Sequence, residues 1–104
     1  MANRALTRNV SQGEFDGFIS ALYNTGPGKA SVKDGLIVLA SGAPSTFLRK
    51  LNAGDPTAPD AILAWNRSGG QRMLGLVRRR TSDRCLMLGM SGAEAIAIGA
   101  AVVS

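Results

Sequence analysis

Twelve Lys and Arg against seven Asp and Glu give this 104-residue chain a formal charge of +5, and 45% of its residues are hydrophobic. That length fits one small domain with enough apolar surface for a single core. There is no His, and Cys85 is the lone cysteine, which excludes imidazole acid-base catalysis, an internal disulfide and a thiolate metal cluster.

Residues Met1 to Val10 show neither a period of two nor one of 3.6. They read as an extended arm, mobile until a partner orders it, ahead of a single globular domain over residues 11–104. Asn3, Arg4, Leu6, Thr7, Arg8 and Val10 are its candidate partner-contact residues. Ser11 and Glu14 have capping-box spacing. Phe15, Phe18, Ile19 and Leu22 follow at i, i+3, i+4 and i+7, so a helix is expected from about Gln12 to Tyr23. The Asn24 to Gly28 turn ends it, because Pro27 lacks an amide hydrogen. Leu36 to Ala40 reads as a buried strand, and a single helical turn is possible at Thr46 to Leu51.

Farther on, Ala61 to Asn66, Gln71 to Arg79, Cys85 to Met90 and Ala95 to Val103 are apolar segments separated by turn-forming stretches. They read as a β-meander. In the last of them Ala and Gly alternate with Ile, Ala and Val, which gives a strand one smooth face; a helix started by a second capping box at Ser91 and Glu94 is the alternative. The expected fold is therefore mainly β, a small meander or barrel-like domain with one short helix and an N-terminal arm, an α+β arrangement being the alternative. No apolar stretch approaches the ~20 residues of a membrane helix. With no secretory leader pattern at the start, a cytosolic product is expected and no membrane partner.

Arg67, Arg72, Arg78, Arg79, Arg80 and Arg84 face one acid, Asp83, in that stretch of sequence. They are candidates for contact with phosphate or an acidic surface. No aromatic residue lies between Asn66 and Ser104 to stack on bases, which argues against direct nucleic-acid recognition. Trp65 is a candidate interface anchor. The acids form no pair at a useful spacing, so no catalytic, cofactor-binding or metal-ligating residue is assigned.

The run Ile62-Leu63-Ala64-Trp65-Asn66, a Gly-containing turn, Leu74-Gly75-Leu76-Val77, a polar turn, Cys85-Leu86-Met87-Leu88 and Ser91-Gly92 resembles the small head decoration proteins of lambda-like tailed phages. The resemblance implies a non-enzymatic virion subunit that binds the major capsid protein. It further implies that the subunit forms a homotrimer with copies of itself, cements the phage head and needs no cofactor. Such a subunit would be assembled in the host cytoplasm. The rival expectation is a small basic nucleic-acid-binding protein using the Arg67 to Arg84 strip.

Overall fold

The computed structural model describes residues 5–68 and 71–102. The chain is mostly helical, which corrects the expected mainly β fold. Helix α1 spans Gln12–Thr25 and begins in the capping box read from the sequence. The Ser11 hydroxyl accepts from the Glu14 amide at 3.0 Å, and the Glu14 carboxylate accepts from the Ser11 amide at 2.9 Å. Gly26, at φ 90°, ends the helix, a conformation that costs glycine little.

Helix α1 buries Gly17, Phe18, Ala21 and Leu22. Phe18 meets Phe47 with ring centroids 5.9 Å apart. Leu36, Leu48, Leu51, Ala58, Ile62 and Met87 complete the core. Leu36 is fully buried, but Leu36 to Ala40 is not a strand: the segment folds back on the Gly26 and Pro27 carbonyls and makes only an isolated bridge between Val38 and Pro44. The buried Ser45 hydroxyl donates to the Leu36 carbonyl and accepts from the Leu48 amide. It thereby caps helix α2, Thr46–Asn52.

Helix α3, Ala58–Ala61, runs into a 3-10 turn at Ile62–Ala64. A two-stranded hairpin then pairs β1, Arg67–Ser68, with β2, Gln71–Arg72. Helix α4, Leu74–Met87, replaces most of the expected meander, and α5, Gly92–Ala100, replaces its last strand. The stretch read as a polar turn, Arg80 to Arg84, lies within α4 because its polar side chains find partners there. Thr81 Oγ1 donates to the Val77 carbonyl, Ser82 Oγ donates to the Ala95 carbonyl of α5, and Asp83 pairs with Arg80. Residues with local turn chemistry enter a helix when such partners replace their own backbone.

The small residues of the last segment act at helical spacing. Ala95 and Gly99, four apart, are the buried residues of α5. A β-carbon at Gly99 would lie 2.7 Å from the Arg78 carbonyl and would run into Ser82 Oγ. Ala95 and Gly99 therefore face α4 of the same chain, while Ala97 and Ala101, on the smooth face of the expected strand, are exposed.

Residues 5–10 are fastened to the body. Asn52 donates from Nδ2 to the Ala5 carbonyl and accepts from the Thr7 amide, both at 2.9 Å. Arg8 Nε donates to the Leu51 carbonyl, and Leu6 and Val10 pack against the core. Mobility was expected because no apolar period is visible; docking instead uses backbone groups, which leave no periodic signature. Asn3 and Arg4 lie outside the described residues.

Candidate functional site

The arginines do not form a strip. Successive residues of a helix turn by about 100°, yet Arg78, Arg79 and Arg80 all line one groove among α1, α4 and α5, whereas Arg84 pairs away from it on the surface. Arg78 Nε donates to the Val102 carbonyl at 3.0 Å. Arg84 Nε pairs with Asp60 Oδ1 at 2.6 Å on the surface. Arg72 is exposed on β2, and Arg67 lies in β1. Arg79 is exposed and has no ion-pair or hydrogen-bond partner among the described residues.

Arg80 points inward and is 1% exposed. Its Nη1 donates to Thr25 Oγ1 at 2.6 Å and its Nη2 to Asn24 Oδ1 at 2.9 Å, both at the end of α1. Its Nε faces Asp83 Oδ2 at 3.1 Å, an ion pair whose angle falls short of a hydrogen bond. Burial pushes the Asp83 carboxyl above its ordinary range, against the pull of the Ser20 hydroxyl and the Arg80 charge. Burial lowers the Arg80 guanidinium, opposed by Asp83. The Arg80 bonds to Asn24 and Thr25 clamp α4 to α1, and Asp83, on the same helix as Arg80, balances the buried charge. Its i, i+3 spacing was visible in the sequence but pairs residues only on a helix.

Two depressions flank this clamp and the core. A groove of about 480 Å³ lies among α1, α4 and α5, lined by Ser20, Tyr23, Asn24, Arg79, Asp83 and Ile96. A depression of about 520 Å³ lies beside the half-buried Trp65, with Asp34, Leu39, Thr46 and Lys50 around it. Trp65 packs partly against the core from the end of the 3-10 turn. Its ring thus belongs both to the core and to a wall of this depression.

Each of the seven carboxylates has a task within the fold. Glu14 and Glu94 close capping boxes, Asp16 accepts from Gln12, Asp34 from the Ala40 amide and Asp55 from Thr57. Asp60 and Asp83 pair with arginines. Among the described residues no group of three or more Cys, Asp or Glu side chains is suited to a metal ion. No described helix is long and apolar enough to cross a membrane.

A helical body with grooves beside a clamped helix pair is the architecture on which the comparisons with known proteins bear. Residues 1–83 match the phage lysozyme family, and the chain belongs to that family. It is 39% identical over 87 residues to the endolysin of Bacillus phage B103, an alignment covering 83% of this chain and 28% of that protein. Against the endolysin of Bacillus phage PZA it is 34% identical over 85 residues, 81% of this chain and 28% of that protein. The chain thus spans about 28% of the length of these curated relatives.

Family membership overturns the likeness to head decoration proteins, and with it the non-enzymatic cement role, the capsid-bound homotrimer and the virion location. That likeness rested on hairpin vocabulary in a region that folds as helices. Family membership likewise overturns the nucleic-acid alternative.

Proposed function

We propose that the protein is a lysis enzyme that cleaves the glycan of the bacterial cell wall, made inside the infected host and released when the cell breaks open. The observation carrying this reading is the family match over residues 1–83. Endolysins as relatives support it.

Glycoside hydrolysis places two carboxyl groups across the scissile bond, with an oxocarbenium-like transition state between them. A rigid body must hold the sugar chain in register for that chemistry, since misplacement by about 1 Å can cost a hundredfold in rate. Arg80, bonded to Asn24 and Thr25, fixes α4 to the end of α1 and supports that task. The net charge of +5 adds attraction to anionic wall polymers.

Incubation of the purified protein with isolated bacterial sacculi tests the proposal. The protein is expected to sediment with the sacculi and to release new reducing ends into the supernatant. Absence of both binding and release overturns the reading.

A further inference from the structure

We infer that the groove among α1, α4 and α5 binds the phosphodiester backbone of an anionic cell-wall polymer; the choice of polymer rests on the lytic reading above. A guanidinium fork matches a pair of phosphate oxygens, and the methylene groups of a polyol spacer sit best against an apolar wall.

The groove supplies both parts. Arg78, Arg79 and Arg80 line it with Asp83 as the one carboxylate, so three positive charges against one negative leave its lining at +2. Arg80 and Asp83 are 1% and 2% exposed and face each other at 3.1 Å at its base. The Ser20 hydroxyl bonds the same carboxylate, so Asp83 is shielded from an anion lying above it. Arg79 is exposed and has no partner among the described residues. Arg78 gives Nε to the Val102 carbonyl, which leaves both of its terminal nitrogens for a ligand. Asn24 accepts from Arg80 through Oδ1, leaving its Nδ2 amide to donate. Ile96, 68% exposed, and Ala100 form an apolar wall on α5.

The volume of about 480 Å³ lies within the range of small-ligand sites. A recess between helices admits a single polymer strand, whereas a bilayer presents its headgroups as a plane. Tyr23 is the one aromatic side chain of the lining, and single-stranded nucleic acid is held on successive aromatic platforms.

Isothermal titration calorimetry with poly(glycerol phosphate) tests the groove at about 150 mM salt, where a Debye length of about 8 Å screens charges outside it. Saturable binding is expected. Arg79→Gln removes a guanidinium that the fold does not use, and Ile96→Glu sets a carboxylate on the apolar wall. Each is expected to weaken binding at least about fivefold. Arg84→Gln removes the same charge from a residue paired with Asp60 outside the groove, and is expected to change affinity less than about twofold. Far-UV circular dichroism checks that all three variants keep the fold. An equal loss in Arg84→Gln attributes binding to net charge and overturns the proposal. Vesicles of phosphatidylglycerol or a single-stranded oligonucleotide bound more tightly than the polymer, with the same dependence on Arg79, also overturn it. Polymer left unbound by a protein that still cleaves sacculi overturns this proposal and leaves the lytic function standing. Polymer bound through Arg79 by a protein that cleaves no sacculi supports the groove and overturns the lytic reading alone.

Discussion

Removing one member of the Arg80–Asp83 pair should unfold a large part of the molecule's margin of stability. The two residues are 1% and 2% exposed, so a lone charge at either position is poorly hydrated. Breaking a pair of this kind typically costs about 3–5 kcal/mol, a large share of the roughly 5–15 kcal/mol that holds a small domain together. Arg80→Met leaves the Asp83 carboxylate with the Ser20 hydroxyl as its remaining partner and strips Asn24 and Thr25 of their donor. Asp83→Leu leaves a buried guanidinium whose partners are all neutral. The double variant Arg80→Met with Asp83→Leu removes both charges at once, and its cost should fall well below the sum of the single losses. Urea unfolding followed at 222 nm measures all four proteins, and the coupling energy should exceed about 2 kcal/mol. Single variants within about 1 kcal/mol of the parent, or a double variant that is simply additive, would refute the stabilising role of the buried pair.

Gly17→Ala should destabilise the protein even though alanine gains up to about 1 kcal/mol of helix propensity over glycine. Its β-carbon would lie 2.6 Å from the Asp83 carbonyl and collide with the Met87 side chain; a lowered thermal midpoint checks this. Glu14 is pushed up by partial burial, but the Ser11 amide and Arg8 together hold it below its ordinary range. A carboxylate whose pKa is depressed by folding stabilises the protein above its unfolded pKa of about 4.3 and loses that contribution as pH falls through the folded value. Stability measured between pH 6 and pH 3 should therefore fall less in Glu14→Gln than in the parent.

Helix α1 was legible because its signals agree: a capping box followed by an apolar stripe at helical spacing. Phe47, Leu48 and Leu51 carried a weaker version of the same message for α2, and the Ser45 cap emerges only in the structure. Residues 91–100 held an equally good capping box, yet the alternation of Ala with Ile spoke for a strand. Only contact with α4 shows that Ala95 and Gly99 count as a pair four apart. Helix α4 was hidden for a different reason. It buries Arg80 and Asp83 among its inward residues, so its inner face is partly charged and its apolar period is broken. The same arginines looked like a free basic strip because their partners within the fold, Val102 for Arg78, Asp83 for Arg80 and Asp60 for Arg84, cannot be read from local sequence. The Trp65 depression joins residues from 34 to 65, and no local pattern announces a hollow assembled over that span.

The manner in which α5 is held sets how freely it can change. Its inward residues are an alanine and a glycine, while Ile96 and Ile98 are 68% and 42% exposed. The helix is seated by close approach of backbones and by the Ser82 hydroxyl, with little apolar bulk inserted into the body. It also lies beyond residue 83, where the family match ends. Substitutions on its outer face leave the central packing of Phe18, Phe47 and Leu51 untouched, whereas one added methyl group at Gly99 prises the helix off its seat. The exterior of α5 can therefore be rewritten at small energetic cost, so this helix is free to acquire a new surface without disturbing the core.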